Sequence, residues 1–163
     1  GRITLGAACL MSPGSRISAS DEIVLGDGCM LANGVYITDS DWHGLYDRIN
    51  RAQDPTPVYL GHNVWVGDHA TILKGVTIGD NSVVAARAVV THDVPANSVV
   101  AGNPACVVKK LDPAEPRYTR ADLYADPDKT AAQFRELDHY VLSKNRFWFW
   151  LWTLLFPGAR RGG

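Results

Sequence analysis

Between Leu60 and Pro95 the apolar and polar positions recur every six residues, in six units that open at Leu60, Val66, Ile72, Ile78, Val84 and Val90. The fifth position of each unit is small or branched (Val64, Ala70, Val76, Ser82, Ala88, Val94), so two inward sites recur per unit and the rest face solvent. This pattern predicts one short strand per hexapeptide and a tight turn, with three units closing one triangular coil of a solenoid. The same register appears at Leu5, Met11 and Ile17, slips by two residues, and resumes at Leu25, Leu31 and Ile37, giving about four coils.

Two segments depart from the period. Residues 39–58 (DSDWHGLYDRINRAQDPTPV) interrupt it once, and an aperiodic stretch of this length inside a repeat domain is usually functional or disordered. Beyond residue 108, a Pro- and Asp-rich connection over 109–126 reads as extended chain, and a helical pattern occupies 127–163. Asp126-Pro127 reads as an N-cap with Pro at the first helical position, followed by an apolar stripe at Phe134, Leu137, Val141, Trp148, Leu151 and Leu155 that Lys144 interrupts. The expected architecture is thus an all-β solenoid over 1–108 with one protruding loop, an extended connection and a C-terminal helical segment.

Composition narrows the function. A net charge of −1 shows no basic excess, which argues against nucleic acid as the partner. Cys9, Cys29 and Cys106 form an odd, unpatterned set, expected as reduced thiols in a cytoplasmic protein, and none reads as a nucleophile. The chain opens at Gly1 already inside a repeat, so an amino-terminal cap upstream is expected, since a bare first coil offers open edges.

The interruption favours function over disorder, because it carries Asp39, Asp41, Trp42, His43, Tyr46, Asp47, Arg48 and Arg51 together. His43 is the residue to single out. An imidazole, whose ordinary pKa is ~6.5, can accept a proton from a hydroxyl as it attacks a carbonyl. Either Asp41 or Asp39 could accept from the second ring nitrogen and fix the tautomer.

Three stretches carry a resemblance: Ile37-Thr38-Asp39-Ser40-Asp41-Trp42-His43, Gly61-His62-Asn63-Val64-Trp65-Val66-Gly67, and Val99-Val100-Ala101-Gly102-Asn103-Pro104-Ala105. Together they resemble the sugar and xenobiotic O-acetyltransferases of the hexapeptide-repeat acyltransferase family, more narrowly its branch serving bacterial capsule, exopolysaccharide and lipopolysaccharide synthesis. The resemblance implies a left-handed parallel β-helix, acetyl-CoA as co-substrate without a metal, and a homotrimer whose sites are shared between neighbouring chains. It places the catalytic base on His43, sets Trp65 beside the thioester, and puts Ala86 and Thr91 against the pantetheine or adenosine part of CoA. CoA phosphates call for cations, which Lys109 and Lys110 supply after the Ala-Gly-Asn-Pro turn, with Arg87 as a further one. The chain departs from the family pattern at His92, where Lys is common, and at Cys106, where Arg is common, so weaker phosphate anchoring is expected.

From Phe147 the sequence FWFWLWTLLF is apolar on every side of a helix, too short to span a bilayer and flanked by Arg146, Arg160 and Arg161. It fits either an interfacial anchor at the cytoplasmic membrane face or a helix packed on protein, and the anchor reading would make the acceptor a lipid-linked saccharide. Three rivals stand beside sugar O-acetylation: amino-group N-acetylation, a catalytically silent scaffold, and a γ-type carbonic anhydrase. The last fares poorly, since His69 would need a ligand partner where Lys74 stands and His62 sits at a turn position.

Overall fold

The computed structural model describes residues 1–50, 54–143 and 147–156 of the chain, which divides into two units, Gly1–Ala121 and Asp122–Gly163. Arg51, Lys144, Arg146, Arg160 and Arg161 lie outside the described residues.

The first unit is a left-handed parallel β-helix with three sheets as its faces. Coil one holds β1 (Arg2–Leu5), β2 (Leu10–Met11) and β3 (Arg16–Ser18); coil two, β4 (Glu22–Leu25), β5 (Met30–Leu31) and β6 (Tyr36–Thr38). Coil three holds β7 (Val58–Leu60), β8 (Trp65–Val66) and β9 (Thr71–Ile72); coil four, β10 (Thr77–Ile78), β11 (Val83–Val84) and β12 (Val89–Val90). A fifth coil is begun by the Val94 bridge to Ile78 and by β13 (Ser98–Gly102), one step beyond the four the period predicts. Strands β1, β4, β7 and β10 form the first face, β2, β5, β8, β11 and β13 the second, and β3, β6, β9 and β12 the third.

The hexapeptide explains the packing position by position. First and fifth positions point inward: all six of each between Leu60 and Val94 are buried, so the core is a column of branched side chains. Where the fifth position is polar it donates to a backbone carbonyl of the next coil, as Cys9 does to Gly26, Ser15 to Ala32, Cys29 to Gly61 and Ser82 to Pro95. A buried hydroxyl or thiol is thereby satisfied inside an otherwise apolar column. Burial pushes the Cys29 thiol up to about 11, which keeps it protonated and inert. The fourth position turns the corner in the left-handed region, with Asn63, His69, Asn81 and Arg87 at φ of 54° to 60°. Asn tolerates that conformation better than most residues; His69 and Arg87 adopt it because the coil geometry leaves no alternative.

Third positions stack the corners. Asp27 accepts the Ala7 amide at 2.7 Å, Asp68 that of Asn33 at 3.0 Å and Asp80 that of His62 at 2.7 Å, while His62 Nδ1 accepts the Asp27 amide at 3.0 Å. Among the described residues the first coil packs against the second alone, and its inward Leu5 and Met11 are 47% and 41% exposed.

The connection after residue 108 is not extended throughout. β14 (Ala105–Lys110) folds back antiparallel on β13 and covers the last edge of the second face, which takes Lys109 and Lys110 into the sheet. Pairing that edge satisfies backbone groups that an extended connection would leave open.

In the C-terminal stretch α1 (Arg120–Ala125) is followed by α2 (Pro127–Leu142), with Asp126 accepting the Lys129 amide and Pro127 at the first helical position, as the sequence predicts. α3 (Phe147–Leu155) carries the aromatic run, and the stripe residues Phe134, Leu137, Val141, Trp148 and Leu155 are all exposed. Among the described residues no helix is long and apolar enough to cross a membrane.

Candidate functional site

The protruding segment is shorter than the interruption in the period. Thr38, Asp39 and Ser40 are buried, and the Thr56 amide donates to the Asp39 carbonyl while its own carbonyl accepts from Gly75, so both ends of the segment belong to the wall. The loop proper starts at Asp41.

Its base is built around two hydroxyls. Thr38 Oγ1 donates to the Ser40 carbonyl at 3.0 Å and accepts from the Trp42 indole at 3.2 Å; Ser40 Oγ accepts the Trp42 amide at 3.0 Å. These bonds hold Trp42 at φ +66°, a conformation a bulky residue avoids at a cost of about 1–3 kcal/mol. The next residue, His43, is exposed. Lys74 ties the two stems together, its ammonium lying 2.6 Å from Asp41 and 3.2 Å from Asp54. The Asp41 carboxylate, then that of Asp54, raise the Lys74 pKa above its ordinary value. Further out, Asp47 accepts from the Asn50 side chain and from the Asn50 and Ile49 amides, which hold its carboxyl below the usual range, while Leu45, Tyr46 and Ile49 face solvent almost entirely.

Both expected orienting carboxylates have other partners. Asp39 is fully buried, and its two oxygens accept the Ser20 and Asp21 amides at 2.7 and 2.8 Å. That is the third-position role of Asp27, Asp68 and Asp80, so Asp39 is a stacking residue of the wall. Asp41 is engaged by Lys74.

The expected cofactor residues fall into two groups. Trp65 and Ala86 line one cavity of about 230 Å3 with Ala32, Gly67, Asp68, Val83, Val84 and Ala85. Here the corner ladder is broken: where an Asp or His accepts the amide of the coil before, Ala86 offers a methyl, and the Asp68 N–H at the cavity edge has no such acceptor. A Cβ on Gly67 would lie 2.6 Å from the Ala86 nitrogen, so glycine is required for the two coils to close there. Trp65, Val83, Val99 and Lys109 are direct partners across β8, β11, β13 and β14, and the row runs about 14 Å along the outside of the second face. It ends at a cavity of about 390 Å3 lined by Lys109, Lys110, Leu111, Asp112, Glu115, Pro116 and Arg117. The two acids dilute the positive charge there, and Lys110 donates to Ser98 Oγ at 2.9 Å. Arg87 and Thr91 stand apart: Arg87 is a corner residue in the left-handed turn, and Thr91 Oγ1 pairs with His92 Nδ1 at 2.7 Å on the corner after β12.

The bacterial transferase hexapeptide model (six repeats) matches residues 57–92, and the hexapeptide repeat of succinyl-transferase matches 23–39. A polysialic acid O-acetyltransferase of known structure is 31% identical over 77% of this chain and 68% of its own, with a TM-score of 0.54. The chain belongs to the hexapeptide-repeat acetyltransferases. A second member of known structure, from Vibrio cholerae and complexed with acetyl coenzyme A, is 31% identical over 68% of this chain and 61% of its own, with a TM-score of 0.62. The galactoside O-acetyltransferase of Escherichia coli is 35% identical over 59% of this chain and 48% of its own. The chain thus spans about half the length, or less, of the first curated relatives it matches.

Within this chain the topology keeps His43 and the Trp65 cavity apart. The His43 loop leaves the corner between the third and first faces, since it follows β6 and precedes β7. Trp65 lies on the second face, opposite that corner. The Thr38, Ser40 and Lys74 anchors escaped the sequence reading, although the signal was present in part: Lys74 is a cation at a third position, where Asp27, Asp39, Asp68 and Asp80 are acids.

Proposed function

We propose that this chain transfers an acetyl group from acetyl-CoA to a sugar hydroxyl, with His43 as general base, in a homotrimer whose sites form between neighbouring chains. The observation that carries the reading is the placement of an exposed imidazole on a pinned loop, opposite the face that holds the Trp65–Ala86 cavity. One chain supplies the base and its neighbour the cofactor wall; the exposed Leu45, Tyr46 and Ile49 of the loop supply apolar surface for such a contact. The relatives' names, which include galactoside and polysialic acid O-acetyltransferases, support a saccharide acceptor.

The residues present fit the co-substrate. The small side chains at Ala32, Gly67, Ala85 and Ala86 let an unbranched arm lie against backbone, with the Asp68 N–H free of the corner ladder to donate to it. Trp65 provides a flat wall near the thioester end, and Lys109, Lys110 and Arg117 provide cations at the other. Acetyl-CoA supplies an acyl carbon activated by its thioester. His43 accepts the acceptor's hydroxyl proton as the oxygen attacks that carbon, and returns it to the departing thiolate when the C–S bond breaks, so no acyl-enzyme is needed. Trp42, fixed by Thr38 and Ser40, sets the position of the imidazole.

Calorimetric titration with acetyl-CoA and with 3′-dephospho-CoA tests this reading. Saturable binding of acetyl-CoA, moderately weakened when the 3′-phosphate is missing, is the expected result. Absence of heat with folded protein overturns the cofactor assignment.

A further inference from the structure

Among the described side chains of the aromatic helix α3 none is polar. Phe147, Leu151 and Leu155 form one stripe along it at every fourth residue, Trp148, Trp152 and Phe156 a second, and Trp150 with Leu154 a third, so the described apolar side chains cover roughly two thirds of its circumference. All of these but Leu151 are exposed, Trp148 to 75% and Leu155 to 64%. Edge-to-face and tilted ring contacts, Phe147 on Trp148 at 5.4 Å and Trp152 on Phe156 at 5.9 Å, hold the rings against the helix without covering them. A groove on a protein would cover one stripe and leave two in water. An environment that receives all three at once is the interfacial layer of a bilayer, where indoles are at home.

Length and charge agree. Nine helical residues rise about 13 Å, well under the ~30 Å hydrocarbon core, so α3 enters one leaflet and does not cross. After Asp138 the sequence contains Lys144, Arg146, Arg160 and Arg161 and no Asp or Glu, although the whole chain is at −1. Cations bracket the aromatic run on both sides, the arrangement that meets anionic headgroups.

We infer that α3 seats this chain on the surface of an anionic phospholipid bilayer. The inference stands apart from the acyl-transfer reading, since neither His43 nor the Trp65 cavity enters it.

The test uses the full chain and vesicles of phosphatidylcholine, alone or mixed with phosphatidylglycerol. The chain is expected to co-sediment with the mixed vesicles, with tryptophan emission shifted to shorter wavelength and quenched by lipids brominated near the headgroup end of the acyl chain. Each cation removed from Arg160 and Arg161 is expected to weaken binding about fivefold. W148S/W150S/W152S is expected to abolish binding while the melting of the solenoid stays unchanged; H43A is expected to bind vesicles as the parent does. If the unaltered chain binds neither vesicle, the inference falls. It falls equally if the triple Trp variant loses a self-association seen without lipid and still binds vesicles, because α3 would then dock on a second copy.

Discussion

Asp39 and Asp41 stand two residues apart and belong to different physical worlds. Asp39 is one of a series: Asp27, Asp68 and Asp80 repeat its job at other corners, and its carboxylate is enclosed by the coil before it. Asp41 is unique, more than half exposed, and has value through Lys74 and the loop that the pair holds. Within the wall, structure comes from repetition. Within the loop it comes from a few contacts that occur once: Thr38 and Ser40 on Trp42, and Lys74 on both stems.

The sharpest way to separate the two regions is His43→Ala. His43 is exposed and packs into no core, so the melting temperature is expected to stay within a degree or two of the parent. Turnover is expected to fall about 10²–10⁴-fold, the contribution of a positioned general base, with acetyl-CoA affinity unchanged. Steady-state kinetics beside a thermal melt checks both; a variant that keeps its turnover removes His43 from the mechanism.

Asp39→Ala probes the wall. It strips acceptors from the Ser20 and Asp21 amides at a fully buried position, and each unpaired amide costs about 1–3 kcal/mol. Chemical denaturation is expected to show that loss, while kcat per folded molecule stays within a few-fold of the parent. Were Asp39 instead the partner of His43, kcat and its pH profile would collapse with little change in stability.

The difference between these residues explains what the sequence made legible. The hexapeptide register identified the coils because first and fifth positions obey one rule at every turn, and Val64 through Val94 are buried as that rule requires. His43 stood out because the interruption of the period marks a segment the fold does not need. Asp39 was misassigned to it because the last strand-like pair of the period ends at Thr38, whereas the coil continues through Ser40 before the chain leaves. A ladder of acids at third positions would have placed Asp39 correctly. Lys74 was invisible for a different reason: its partners Asp41 and Asp54 lie across the loop closure, and no local spacing records that. The apolar pattern of the last helix was equally plain, yet its exposure needed three dimensions to see.

Lys74→Met gives the smallest and most discriminating effect. The ion pairs are solvent-accessible, Asp41 and Asp54 being 62% and 71% exposed, so their loss costs the whole domain about 1 kcal/mol or less. Locally the two stems lose the cation that joins them. Amide exchange is expected to quicken over 41–50 and stay unchanged in the coils, with kcat/KM falling about tenfold because the imidazole is less well placed. The pH dependence has a definite sign. Asp41 and Asp54 favour the charged ammonium, so the Lys74 pKa is raised in the folded state. Its contribution is therefore complete below the unfolded value near 10.5, and is lost as pH rises through the raised value. Exchange in the loop is thus expected to show an alkaline opening in the parent that is absent from Lys74→Met. An identical alkaline profile in the two proteins would show that the stems are held by the Thr38 and Ser40 bonds alone.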